Sequence, residues 1–206
     1  MALVKYNNNS LSSVTSAAGF PAGAMTLIKT LTASSSSTLS FVDGSSSVVL
    51  DNTYPIYMFT FTDIHPATND VNFQFNMSVD SGSNYNVAKT TIFFRGYHTE
   101  AGSGSLEYDT GRDAAQSTGN VSITREIGNQ NDESTSGNLL LFSPSSTTFV
   151  KHYISRFQDH SHADAAVDSY SSGYGNTTSA VDAIRFSFSS GNIDSGTIKL
   201  YGIKDS

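Results

Sequence analysis

The stretch "VNFQFNMSVD", residues 71–80, alternates large apolar and polar side chains with a period of two. In an extended chain, successive side chains point to opposite faces, so Val71, Phe73, Phe75, Met77 and Val79 share one face. Amide and serine side chains occupy the other face. This alternation predicts an antiparallel strand with one buried face and one hydrated face.

The same period recurs along the chain and predicts about nine strands with no convincing helix. Nine segments show it clearly, at 25–33, 38–42, 54–64, 71–80, 90–100, 138–143, 149–157, 183–189 and 197–203, and a weaker one lies at 121–127. Short strands separated by turn signals are typical of sandwiches and barrels. We therefore predict an all-β, antiparallel, jelly-roll-like β-sandwich that forms a single domain over residues 25–206. No repeat of 20–50 residues points to a solenoid or propeller.

Two polar, glycine-rich segments interrupt the pattern, at 101–137 and 159–179, and the sequence predicts long loops there. Long loops within a compact domain are commonly functional or form interfaces.

Near the C-terminus, Gly191 and Gly196 bracket a tight connection into the last strand, where glycine permits a positive φ.

Residues 1–24 lack periodicity, and we interpret them as an N-terminal arm. A free terminus of this length would fray. We therefore expect the arm, if ordered, to be held by its own domain, by a symmetry mate or by a neighbouring protein. Six apolar residues of the arm are candidates for such assembly contacts: Leu3, Val4, Tyr6, Leu11, Val14 and Phe20.

Charge and cysteine content exclude several classes of protein. The net charge is −7 and the eleven Lys and Arg residues are scattered, which argues against nucleic acid as a partner. There is no cysteine, so neither disulfides nor thiolate chemistry contribute. The chain starts with no signal peptide and contains no apolar run of membrane-spanning length, so we expect no membrane insertion.

The segment "DHSHAD" holds His160 and His162 beside Asp159 and Asp164. Two histidines at i and i+2 of an extended segment could share a metal, but no third histidine has ligand-like spacing. A solvated polar loop is the favoured interpretation, although a threefold axis could bring equivalent histidines of three copies together. We expect no cofactor and no bound metal.

Carboxylates that could support glycoside hydrolysis lie in or near the first polar segment, and nothing in the sequence pairs them. They are Glu100, Glu107, Asp109, Glu126 and Glu133. We therefore predict that the protein is not an enzyme.

Three tyrosines, Tyr108, Tyr170 and Tyr174, lie in the predicted long loops among Asn, Ser and Gly. Tyrosine offers rigid amphipathic contact area, and its polar neighbours offer adaptable hydrogen bonds. Together with His160 and His162, these tyrosines are the candidate contacts for a glycan or a protein. Ordinary loop packing between subunits is the alternative.

Three stretches, "IHPATNDVNFQFNMSVDSGSNYN", "SPSSTTFVKHYI" and "GYGNTTSAVDAIRFSFSSGNIDSGTIKLYGI", resemble a group of small virion structural proteins of tailed bacteriophages, common among marine phages. The resemblance runs from about residue 25 to 203. It implies a β-sandwich that assembles as a homo-oligomer, often a trimer, on the tail, on fibres or on the capsid.

The expected function is that of a non-enzymatic virion structural protein, with other virion proteins and host-surface glycan as further partners. It would be made in the host cytoplasm and released by lysis. A capsid decoration (cement) protein that grips the shell through the arm is the first alternative. A carbohydrate-active enzyme on a jelly roll is the second.

Overall fold

A computed structural model describes residues 24–204, which form thirteen β-strands joined by turns and irregular segments. The strands are β1 (Met25–Thr32), β2 (Leu39–Val42), β3 (Ile56–Pro66), β4 (Phe73–Ser78), β5 (Lys89–Thr99), β6 (Gly104–Tyr108), β7 (Ala114–Ser117), β8 (Val121–Ser122), β9 (Thr135–Phe142), β10 (Lys151–Ser161), β11 (Ala165–Gly175), β12 (Ala183–Phe188) and β13 (Ile193–Ile203). Within residues 24–204 the structure contains no helix, and hence none that could span a membrane. The apolar residues predicted for the arm lie outside the described residues.

The strands form two antiparallel sheets that pack face to face, which confirms the predicted sandwich. The large sheet has the order β1-β13-β3-β9-β10-β11-β5-β6, with β7 also paired to β5, and the small sheet has the order β2-β12-β4-β8. In the eight strands β1, β2, β3, β4, β8, β9, β12 and β13, the first pairs with the last, the second with the second-last, and so inward. This nested pairing is the jelly-roll connectivity.

The remaining five strands are insertions into the jelly roll that widen its large sheet. Strands β5, β6 and β7 lie between β4 and β8 in sequence, and the hairpin β10–β11 lies between β9 and β12. The two insertions meet where β11 pairs with β5 over eleven residues. The large sheet therefore extends well beyond the small sheet that covers it.

The core between the sheets is aromatic. Phe186 of the small sheet lies 5.0 Å from Phe61 and 5.4 Å from Phe59 of the large sheet, measured between ring centroids in edge-on geometry. Phe73 and Phe157 complete the fully buried cluster. Edge-to-face aromatic pairs add to the free energy of burial, so this cluster anchors the two sheets to each other.

Polar side chains replace apolar ones on the inner face of the widened sheet. Asp159 is fully buried and accepts hydrogen bonds from the hydroxyls of Thr135 and Ser169. Burial raises the pKa of Asp159 to about 7. Lys89 is also fully buried and donates to Asn76 Oδ1 and to the carbonyl oxygen of Val87, both at 2.6 Å.

The prediction of a loop over 159–179 is wrong. Residues up to Ser161 complete β10, and β11 occupies Ala165–Gly175, so that only a short turn and a C-terminal connection are irregular. The inward positions of β11 include Ser169 and Ser171, which are buried although they are polar. The hydrophobic alternation that marks other strands is therefore absent here.

The prediction of a loop over 101–137 is wrong in part. The strands β6, β7 and β8 and the start of β9 fall inside it, joined by turns and irregular segments. Arg125 ties these segments together, because it pairs with Glu107 and Asp109 on one side and with Glu126 on the other. Short strands with exposed side chains carry little hydrophobic periodicity, which explains the missed elements.

The hydrated face predicted for residues 71–80 is also wrong. Asn76 and Ser78 are buried, and Asn76 Nδ2 donates to the carbonyl oxygens of Tyr85 and Thr118 at 2.7 and 3.0 Å. Neighbouring loops thus cover the outer side of β4. Polar residues survive there because the loop backbone supplies their hydrogen-bond partners.

Candidate functional site

The outer face of the large sheet, which points away from the small sheet, carries an apolar row that crosses seven strands. Strand register places its members side by side: Leu27, Tyr201, Met58, Leu140, Ile154, Ser172 and Ile92, from β1, β13, β3, β9, β10, β11 and β5. Six of the seven are apolar, and Ser172 is the polar exception. At a strand spacing of about 4.8 Å the row is roughly 29 Å long.

Several members of the apolar row are exposed to solvent within the described chain. Leu27, Ile154 and Ile92 are 52 %, 53 % and 45 % exposed. Met25, next to Leu27 on the same face of β1, is 51 % exposed. Half-buried apolar residues fill the positions between Leu27 and Ile154. An apolar band of this length is typical of an interaction surface, whereas a single exposed apolar residue is not.

A second row, the aromatic row, runs parallel to the first and consists of Tyr108, Phe94, Tyr170 and Arg156 on β6, β5, β11 and β10. The rings of Phe94 and Tyr170 are stacked with centroids 4.8 Å apart and planes inclined by 4°. The guanidinium carbon of Arg156 lies 5.1 Å from the centroid of Tyr170. The hydroxyl of Tyr108 donates to Asp113 at 2.7 Å.

Next to the aromatic row lies an open groove of about 510 Å³ that crosses β9, β10, β11 and β5. Its lining includes Asn138, Arg156, Gln158, Asp168, Gly96 and His98. These residues come from four strands of two separate insertions and of the jelly roll itself. The groove is therefore assembled by sheet register and not by any one segment of sequence.

Charges in the groove are paired. Arg156 donates through Nε and Nη2 to the two carboxylate oxygens of Asp168, at 3.0 and 2.7 Å. These hydrogen bonds, followed by one from the Tyr170 hydroxyl, lower the pKa of Asp168 below its ordinary value. The hydrogen bond to Asp168 in turn raises the pKa of Tyr170, which therefore stays protonated. The arrangement is a fixed, nearly neutral array of donors and acceptors.

All three tyrosines singled out in the sequence lie on this outer face, but on strands. Tyr108 ends β6, and Tyr170 and Tyr174 share one face of β11. Tyr174 makes an edge-on contact with His152 at a centroid distance of 6.3 Å. The structure thus brings Tyr108 and Tyr170 into one row and places Tyr174 beyond the apolar row. Their description as loop residues is wrong.

The two histidines do not form a common site within the described chain. His160 is the last residue but one of β10, and its Nδ1 is buried with no hydrogen-bond partner among residues 24–204. His162 lies in the following turn, with its Nδ1 3.3 Å from the carbonyl oxygen of Glu126 and 3.5 Å from Asp70. No three potential metal ligands cluster among the described residues.

Three of the five carboxylates flagged in the sequence converge, but on arginines. Arg95 pairs with Glu107 and Glu126 at 2.6 and 3.1 Å, and Arg125 extends the network to Asp109. Partial burial acts to raise the pKa of Glu126, but the hydrogen bond and charge of Arg125, with Arg95, outweigh it and lower that pKa. These ion pairs join β5, β6 and the segment that follows β8.

Glu133 lies apart from this network. It is buried, and its Oε2 accepts a hydrogen bond from the backbone of Gln130. Glu100 follows β5 in a turn and donates its backbone N–H to the carbonyl oxygen of Asp164.

No protein-family model, no curated protein and no solved structure matches this chain.

The groove residues Asn138, Gln158, Asp168 and Gly96 are missed by sequence reasoning. One signal could have found part of the groove: "AVDSYSSGYG" places Asp168, Tyr170 and Tyr174 at even spacing, so all three share a face if the segment is extended. The serines between them conceal the strand.

Proposed function

We propose that this chain is a non-enzymatic structural protein of a tailed-phage particle, which assembles as a homo-oligomer through the outer face of its large sheet. A trimer on the tail, a fibre or the capsid is the assembly we expect. The observation that carries the proposal is the apolar row, seven strands wide, with Leu27, Ile154 and Ile92 exposed.

Two further features support this proposal. Jelly-roll sandwiches serve in viral capsid and lectin domains, so the fold agrees with a particle component by analogy. Only 14 % of the residues are charged, and edge strands with few charges are prone to pair with other chains unless they are covered. Contact between copies would remove both the apolar row and an edge of the sheet from water.

Light scattering coupled to size-exclusion chromatography tests the assembly. The full chain should elute with about three times its mass of 22.0 kDa. The variant Ile154→Lys places a charge in the centre of the apolar row and should shift the protein towards monomer. Thr62→Lys, on the exposed end of β3 outside the row, is the matched control and should keep the assembly. A wild-type monomer at high protein concentration would contradict the proposal.

Mass spectrometry of purified particles tests the location. Particles of the phage that carries this coding sequence should contain the protein at a fixed copy number per particle. Its presence in the lysate but not in washed particles would refute the virion role.

A further inference from the structure

Small side chains form the floor of the groove, and polar side chains stand around it. Gly96 and Ala166 supply almost no side chain, and a Cβ built on Gly96 would meet its nearest neighbour, Leu106 Cδ1, only at 4.0 Å. The backbone of β11 and β5 is thus open to a ligand at this point. Four strands support the floor, so the shape exists before a ligand arrives.

Polar groups with unused hydrogen-bonding capacity surround this floor. Within residues 24–204, the side chains of Asn138 and His98 make no hydrogen bond, although both line the groove. Gln158 Nε2 donates to the carbonyl oxygen of Asp159 at 3.0 Å, which leaves Gln158 Oε1 free to accept. Amides and imidazole offer both donors and acceptors, as sugar hydroxyl groups require.

The charges of the groove favour an uncharged ligand. Arg156 and Asp168 neutralise each other through two hydrogen bonds, and the Asp168 carboxylate is further fixed by the hydroxyl of Tyr170 at 3.0 Å. No lysine lines the groove, and the whole chain carries a net charge of −7. An anionic polymer would be repelled overall and would have to break the Arg156–Asp168 pair.

We propose that the groove is a binding site for a neutral oligosaccharide. The small side chains of the floor would leave room for the sugar rings. The side chains of Asn138, Gln158 and His98 would form hydrogen bonds with the sugar hydroxyl groups. The Arg156–Asp168 pair would present its donors and acceptors to the sugar in fixed orientations. This inference deepens the proposed function and rests on it, since a protein on the surface of a particle meets host-surface glycans.

The groove lies on the same face as the apolar row, two to six positions away along the strands, so it would open at the margin of the contact between copies. A protein partner is less suited to the groove, because the exposed apolar side chains lie in the apolar row.

The test uses the full chain on an array of neutral and acidic bacterial cell-surface oligosaccharides, followed by calorimetric titration with the tightest neutral binder. Gly96→Val fills the floor without a backbone clash and should weaken binding at least tenfold. Asn138→Ala and Gln158→Ala should each weaken binding about five- to tenfold through a lost hydrogen bond. Thr30→Val changes an exposed side chain on the edge strand β1, outside both the groove and the apolar row, and should change affinity less than twofold.

Three results would overturn the inference. They are the absence of binding to every neutral oligosaccharide, binding of acidic sugars alone, and unchanged affinity in both Gly96→Val and Asn138→Ala. Thermal unfolding of each variant checks that it folds. If Gly96→Val does not fold, the two alanine variants still decide the test. Failure here leaves the oligomer mass and the copy number in particles unchanged, so it is separable from failure of the proposed function.

Discussion

Phe94 and Tyr170 lie directly opposite each other on β5 and β11, with their rings stacked 4.8 Å apart and nearly parallel. The two strands belong to different insertions of the jelly roll, and their pairing creates the extension of the large sheet. The Tyr170 hydroxyl also fixes Asp168, which in turn holds Arg156. This aromatic pair therefore lies where the two insertions are paired and connects that junction to the charged side chains of the groove.

Removal of the Tyr170 ring should lower the free energy of unfolding. Stacked aromatic pairs contribute about 0.5–1.5 kcal/mol beyond their buried area. We expect Tyr170→Ala to lower the free energy of unfolding by about 1–2 kcal/mol, and Tyr170→Phe, which keeps the stack, by less than about 0.5 kcal/mol. Urea denaturation measures both. Tyr174→Ala, on the same face of β11 with only an edge-on contact to His152, should cost less than Tyr170→Ala. An equal loss in both alanine variants would contradict this role for the stack.

The jelly roll itself could be predicted from sequence because its strands bury large apolar residues on alternate positions. In β3, Tyr57, Phe59 and Phe61 are buried while Met58 and Thr60 are partly exposed, as the alternation predicts. The positive φ angles at Gly191 and Gly196, +72° and +114°, also confirm the prediction for the C-terminal connection.

The widened part of the sheet could be predicted only in part: the segments 90–100 and 149–157 correspond to β5 and most of β10, whereas β6, β7 and β11 show no such pattern. Its inward positions hold Ser155, Ser169 and Ser171, whose burial is made tolerable by hydrogen bonds such as that from Ser155 to the carbonyl oxygen of Ser171. Hydrophobic periodicity cannot report a strand whose buried face is polar. The groove is harder still, because Asn138 and Gly96 are distant in sequence and meet only through the pairings β9–β10–β11–β5.

Asp159 should make stability depend on pH between about 4 and 7. Its pKa is about 7 in the folded protein and near 3.8 in the unfolded chain, so the folded state holds the proton more tightly across this interval. Stability from this group is therefore fully present below the unfolded pKa and is lost as pH rises towards 7. The wild-type protein should lose roughly 3 kcal/mol relative to Asp159→Asn between about pH 4.5 and 7.5.

Denaturant titrations of both proteins at several pH values measure this difference. Asparagine has the shape of the neutral acid and can still bond Thr135 and Ser169, so the comparison isolates ionisation. The carboxylates with lowered pKa, such as Asp168, act in the opposite direction but contribute equally to both proteins. Parallel stability curves across this interval would show that Asp159 does not titrate as a buried acid.

Lys89 should produce a slope of the opposite sign at alkaline pH. Burial lowers its pKa to about 8, against 10.5 in the unfolded chain, so the unfolded state binds more protons between these values. Stability should rise with pH in this interval, by roughly 2 kcal/mol between about pH 7.5 and 9.5. Urea titrations should show that Lys89→Met lacks this rise, whereas Lys204→Met, at an exposed lysine, should retain it. If the stability of Lys89→Met still rises with pH in this interval, the rise belongs to other titrating groups.

Gly196 should tolerate no side chain, although it lies within β13. Its φ is +114°, and a Cβ there would approach the carbonyl oxygen of Asp63 to 2.5 Å and Ile64 Cα to 2.8 Å, where the register with β3 shifts. Strain of this kind costs about 1–3 kcal/mol, and the backbone clash adds to it, so Gly196→Ala should lower the free energy of unfolding by about 2–4 kcal/mol.

Gly96→Ala is the matched control, because its Cβ meets no atom closer than 4.0 Å. It should leave stability unchanged or raise it by up to about 1 kcal/mol, since alanine suits a strand better than glycine. Chemical denaturation of the two variants distinguishes these outcomes, and equal stability in both would mean that the last strand relaxes to accept a side chain at Gly196.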